Sequence, residues 1–110
     1  MSVDIIKSGG YKISALEIEN VLLHHDLIQE CAVIGVEDTV WGERVCAAVS
    51  LVRDQPLALE ELRSWSKQHL ASYKIPQQLV ILGALPRNSM GKILKRRLRK
   101  IVSASGPDKE

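Results

Sequence analysis

Apolar residues change their period along this chain, and each change marks an element. Asp4 to Ile13 sets apolar and β-prone residues on either side of Ser8, Gly9 and Gly10, the pattern of a short hairpin closed by a glycine turn. From Ser14 the period lengthens to that of a helix. Ile18, Val21, Leu22 and His25 share one face, Ser14 can cap the helix with Glu17 reaching back in a capping box, and Ile13 and Ile18 stand at hydrophobic-staple positions. Residues 29–36 and 44–52 read as strands, the second alternating Val45, Ala47, Val49 and Leu51 against Arg44, Cys46, Ala48 and Ser50. Between them, Glu37 to Glu43 suits a hairpin loop.

After Pro56 a second helix is expected to about Leu70, with Leu59, Leu62, Trp65 and His69 at helical spacing, and Pro76 blocks any continuation. Leu79 to Leu82 reads as a third core strand and Pro86 to Gly91 as a turn-rich loop. Lys92 then opens an amphipathic helix with Leu94, Leu98, Ile101 and Val102 inward. These elements predict an α+β fold: a small, mostly antiparallel sheet of about three strands plus an N-terminal β-hairpin, flanked by helices. One domain over residues 1–102 is expected, followed by a disordered tail over 103–110.

Composition adjusts this picture at a few points. With 110 residues and 45% hydrophobic content, one modest core is the expectation. Aromatic residues are only 4% and Phe is absent, so the core is assigned to Leu, Ile, Val and Ala, and pockets walled by aromatic stacks are not expected. Trp41 and Trp65 are accordingly assigned to turn and core packing, and His24 and His25 to the end of the first helix, where a cation complements the dipole. Cys31 and Cys46 lie in apolar runs without metal-ligand spacing and read as buried free thiols of a reducing, intracellular compartment. No signal pattern opens the chain and no apolar run reaches membrane-spanning length, so no membrane span is expected. The net charge is +2, yet seven of the fifteen Lys and Arg residues fall between Arg87 and Lys100. That end should attract anions.

The richest segment for chemistry is Pro86-Arg87-Asn88-Ser89-Met90-Gly91-Lys92-Ile93. A loop that presents one ammonium group can deliver charge to a phosphate or carboxylate, and the neighbouring glycine lets backbone approach a ligand. It is no phosphate-cradling G-x-x-x-x-G-K-[ST] loop, because the first glycine and the hydroxyl are missing. Followed by a basic helix, it resembles the closing motif of the acyl-adenylate-forming superfamily of acyl-CoA synthetases, luciferases and peptide-synthetase adenylation domains. Asp4 to Glu19, Ala32 to Asp38 with Trp41 to Arg44, and Tyr73 to Pro76 agree with that superfamily in order and spacing. Gly9-Gly10-Tyr11-Lys12, Trp41-Gly42 and Pro86-Arg87-Asn88 look most like its malonyl-CoA synthetase branch.

The resemblance implies a small C-terminal domain that rotates between two half-reactions, with a large N-terminal adenylation domain as partner and ATP with Mg2+ and CoA as co-substrates. Lys92 would be the catalytic lysine of adenylation, and Lys7 would join it near ATP and the acyl-adenylate. Gly9, Gly10, Tyr11 and Lys12 would line the tunnel for the pantetheine arm of CoA. Lys12, Lys67 and the cluster Lys95 to Lys100 are candidates for the CoA phosphates. The acid itself would be a small carboxylate chosen by the other domain, the chain alone would be inactive, and a mitochondrial location is implied by resemblance only. The family's hinge would fall in the first few residues, where Ser2 and Val3 replace its usual charged residue.

Two other classes compete. The basic helix on a small α+β frame could serve an RNA-binding module, but sheet-borne aromatics and a G-x-x-G clamp are missing, and no nucleic-acid partner is expected. A protein-interaction domain without catalysis would have no use for Lys92 and Gly9-Gly10.

Overall fold

A computed structural model describes residues 4–104 of the chain. β1 (Ile5–Ser8) and β2 (Tyr11–Ser14) form the hairpin and lead into α1 (Ala15–Leu22). The long strands β3 (Ile28–Asp38) and β4 (Gly42–Leu51) follow, then α2 (Leu59–Ser66), a single 3-10 turn at Ser72–Lys74, β5 (Gln78–Ile81) and α3 (Lys95–Ala104). The strands make one five-stranded sheet in the order β2-β1-β4-β3, with β5 parallel to β4 and the other pairings antiparallel. Because β3 occupies one side of β4, β1 and β5 share the other: Ser8 pairs with Gly42, and Gln78 to Ile81 pair with Cys46 to Val49. The expected α+β class, with hairpin and flanking helices, is what the chain adopts.

Alternation in β3 and β4 explains how both faces of the sheet are covered. Cys31, Val33, Val45, Ala47 and Val49 point to a core shared with Ile18 and Leu22 of α1 and Leu62 of α2. Their neighbours Ala32, Ile34, Cys46 and Ala48 point to a second core closed by Leu98 and Val102 of α3. No solvent face remains in the middle of either strand, which is why both read as nearly continuous apolar runs. Each core takes one thiol, and burial pushes both Cys31 and Cys46 up to about 12, so neither is a nucleophile at neutral pH.

Several boundaries differ from expectation, each for a local reason. The β3–β4 loop shrinks to residues 39–41, because Asp38 Oδ1 accepts from the amides of Val40 and Trp41 at 2.8 and 3.0 Å and closes the turn early. Ser14 caps α1 as expected, its Oγ accepting from the Glu17 amide at 3.2 Å. The Glu17 carboxylate, however, takes both oxygens to Lys74 Nζ at 2.9 Å, so the capping box is not reciprocated. α1 ends at Leu22, leaving His25 outside the helical face; its Nδ1 accepts from the Leu27 amide and its ring meets Trp65 edge-on. His24 also lies beyond the helix, whose C-cap is Leu23, but its Nδ1 reaches back to donate to the Asn20 carbonyl at 2.9 Å.

α2 ends at Ser66 rather than near Leu70, although irregular turns carry its hydrogen bonding to Leu70. Ser66 Oγ is buried there with no hydrogen-bond partner among the described residues. A lone buried hydroxyl is a cost, typically about 1–3 kcal/mol. Ser66→Ala is therefore expected to unfold at or above the wild-type temperature; a lower melting point would mean that the hydroxyl has a partner. α3 begins at Lys95, three residues after Lys92, and takes in Ser103 and Ala104. The remainder of the expected tail, 105–110, and the expected hinge positions Ser2 and Val3 lie outside the described residues.

Candidate functional site

Lys92 stands in a loop that is braced at several points. Asn88 Oδ1 accepts from the amides of Met90 and Lys92 at 2.9 and 3.0 Å, while the Asn88 amide donates to the Lys92 carbonyl at 2.9 Å. Arg87 donates to the Gly91 carbonyl at 2.6 Å and, from Nε, to the Glu30 carboxylate at 3.2 Å, so the loop is tied to β3. The Arg87 guanidinium foremost, and the Ser50 hydroxyl with the Leu85 amide, outweigh partial burial and hold the Glu30 carboxyl below its ordinary value. The Lys92 side chain is exposed and lines an open cleft of about 580 Å³ with Asp4, Lys95, Arg96 and Arg99. A fixed backbone carrying a solvent-facing ammonium group suits delivery of charge to an incoming ligand.

The hairpin makes a different surface. Gly9 and Gly10 form its two-residue turn at φ +57° and +86°, a left-handed pair that glycine enters without penalty. A Cβ on Gly9 would stand 3.0 Å from the Trp41 ring, whereas one on Gly10 would meet nothing within 4 Å. The Gly9 amide donates to the Trp41 carbonyl at 2.9 Å. Tyr11 stacks on Tyr73 with ring centroids 4.0 Å apart and planes at 10°, and both line a pocket of about 190 Å³ with Gly9, Trp41 and Arg63. The expectation from composition is thus corrected: the few aromatic rings are concentrated, and three of them wall one pocket. Trp41 is half exposed there rather than packed in its turn.

The expected site residues therefore divide between two places. Lys92 lines the cationic cleft, and Gly9 and Tyr11 line the aromatic pocket. Lys7, Gly10, Lys12 and Lys67 are exposed and line neither. Lys95 is withdrawn from the CoA-phosphate candidates, because its Nζ is ion-paired with Asp4 and with Glu19 at 2.6 Å and donates to the Val33 carbonyl at 3.1 Å. Among the described residues, no group of His, Cys, Asp or Glu could hold a metal ion, and no helix is long and apolar enough to cross a membrane.

Sequence reasoning missed the supports. Glu43 Oε1 accepts from the Lys7 amide at 2.8 Å and so fixes the hairpin from β4. Gly35 makes room for it, since a Cβ there would come within 2.8 Å of that carboxylate oxygen. The only hint in the sequence was that both residues fall inside the recognised motifs.

Comparisons with known proteins bear on the family. The AMP-binding enzyme C-terminal domain family matches residues 17–92. The mitochondrial malonate–CoA ligase ACSF3 of Bos taurus is 53% identical over 97 residues, covering 88% of this chain and 17% of that protein. A malonate–CoA ligase of Arabidopsis thaliana is 46% identical over 109 residues, covering 90% of this chain and 18% of that protein. Among solved structures, a Mycobacterium tuberculosis fatty acyl CoA synthetase superposes with a TM-score of 0.85 at 37% identity, over 93% of this chain and 20% of that one. The chain thus spans less than a fifth of the length of these curated relatives. A braced loop lysine, a glycine hairpin and this α+β frame, together with that match over most of its length, place the chain in the AMP-binding enzyme C-terminal domain family.

Proposed function

We propose that the chain is the mobile small domain of an ATP-dependent carboxylic acid:CoA ligase, with malonate as the acid, and that it is inactive without the large adenylation domain of the same enzyme. The observation that carries this reading is the division of the site into two surfaces: the braced Lys92 loop over a cationic cleft, and the Gly9-Gly10 hairpin beside an aromatic pocket. A two-step reaction needs both. In the first step a carboxylate oxygen attacks the α-phosphorus of ATP, pyrophosphate leaves with the bond electrons, and Lys92 stabilises the charge that spreads over the α-phosphoryl oxygens. In the second, the domain turns its hairpin inward, the thiol of CoA attacks the acyl carbon, and AMP departs. The open space beside Gly10 then gives the pantetheine arm a backbone wall, and Tyr11 flanks it from the pocket side. Lys7, fixed through its amide by Glu43, reaches toward the adenylate from near the tip of the hairpin, opposite Lys12.

Malonate and a mitochondrial location are carried by relatives named for them. In the full-length ligase, acid-dependent ATP–pyrophosphate exchange is expected to be fastest with malonate among acetate, malonate, succinate and hexanoate. Equal rates, or a preference for hexanoate, would remove malonate; no exchange with any acid would remove the ligase. Lys12 and Lys67 act on this reading through long-range attraction for the CoA phosphates. Lys67→Glu should accordingly raise the KM for CoA about twofold at low salt, the scale of one exposed charge, and not at high salt. An unchanged KM at low salt takes Lys67 out of CoA binding.

A further inference from the structure

The helix that follows Lys92 does not spread its cations evenly. Leu98 and Val102 are buried against the sheet, and Arg97 and Lys100 do not line the cleft. Lys95, Arg96 and Arg99 stand on the wall that continues from Lys92, with Arg99 three residues from Arg96 and four from Lys95. Lys95 is shared between Asp4 and Glu19, a triad of net charge −1 that engages Asp4, the one carboxylate among the described lining residues, so the cationic surplus of the cleft comes from Lys92, Arg96 and Arg99. Asn88 is engaged by the loop amides. Arg96 and Arg99 are exposed, and their side chains carry no hydrogen bond or ion pair among the described residues. Two guanidinium groups at adjacent helical positions, next to a lysine and facing the same open space, form a receptor for a compact polyanion.

Resting on the reading above, we propose that Arg96 and Arg99 bind the β- and γ-phosphates of ATP and hold pyrophosphate as it leaves. When the acid's oxygen bonds to the α-phosphorus and the bond to the β-bridging oxygen breaks, the negative charge moves onto pyrophosphate. Lys92 serves the α-phosphate, and the arginines lie one step further along the same wall. Each guanidinium presents paired donors that match a phosphate edge, which a second lysine would not. The alternative source of the same phosphate chemistry is CoA, whose proposed path lies along the hairpin and the aromatic pocket; no residue of that pocket lines this cleft.

The test is the KM for inorganic pyrophosphate in malonate-dependent ATP–pyrophosphate exchange by the full-length ligase, beside the KM for CoA in the complete reaction. Arg96→Gln/Arg99→Gln should raise the pyrophosphate KM roughly tenfold or more, the loss of charge-assisted contacts, with the KM for CoA unchanged. Arg97→Gln/Lys100→Gln removes the same charge from the other sides of the helix and should change neither. A pyrophosphate KM that stays at wild type, one that rises equally in the two double variants, or a rise in the KM for CoA instead would each overturn the proposal. Lys92→Ala separates this outcome from failure of the underlying reading: if it keeps full exchange, adenylation by Lys92 is wrong, whereas if it loses exchange while the arginine pair is neutral, only the pyrophosphate site is wrong.

Discussion

Lys92→Ala in the full-length ligase is expected to slow adenylate formation by roughly 10² to 10³, or about 2.7–4 kcal/mol, the loss associated with one well-placed donor to a developing oxyanion. The size follows from the bracing of the loop. Asn88 and Arg87 hold the backbone on both sides of Lys92, so on the proposed reading the ammonium group is presented from a fixed base and only the torsions of its own side chain remain to be ordered. The backbone contacts of Lys92 run through its own amide and carbonyl, which alanine keeps, so the loop should survive the substitution. CoA capture from supplied malonyl-adenylate should fall far less, because the hairpin surface does not include Lys92. The readings are ATP–pyrophosphate exchange and single-turnover thioester formation. Equal losses in both would assign Lys92 to the shape of the domain and not to one step.

Gly10→Leu is expected to do the opposite, leaving exchange near wild type and abolishing thioester formation. The branched side chain would start from a Cβ that meets nothing within 4 Å among the described residues, on the proposed path of pantetheine. Backbone strain is a separate effect, since residue 10 sits at φ +86° and a non-glycine residue there costs about 1–2 kcal/mol. Gly10→Ala carries the same strain with almost no bulk and isolates it. If alanine is as damaging as leucine, the turn geometry matters and the tunnel does not. If leucine alone blocks capture, the wall is assigned; unchanged capture in both removes the tunnel.

How much of this could be read from the residues depended on how local the cause was. The hairpin turn and the Ser14 cap are set by neighbours within a few positions and stand where their pattern put them, and the two long strands fall within two residues of it. The start of α3 was misplaced because an apolar stripe marks a face, not an end; Asn88 holds the Lys92 amide in the loop, and the helix waits until Lys95. The aromatic pocket was invisible because Tyr11, Trp41 and Tyr73 come from three separate segments, and composition counts rings without saying where they meet. Lys95 looked like one more free cation in a basic run, and only folding brings Asp4 and Glu19 to it.

That last cluster has a mechanical meaning. Asp4 precedes the hairpin and, through its carbonyl, receives the Ala15 amide at 3.0 Å; its carboxylate is locked to Lys95 at the root of α3. The two tools of the domain are therefore welded to one chassis at the point where the chain comes in. On the proposed reading, a rotation transmitted through Asp4 turns lysine loop and hairpin together through the same angle, so presenting one to the reaction centre withdraws the other, and the two steps are kept from being served at once.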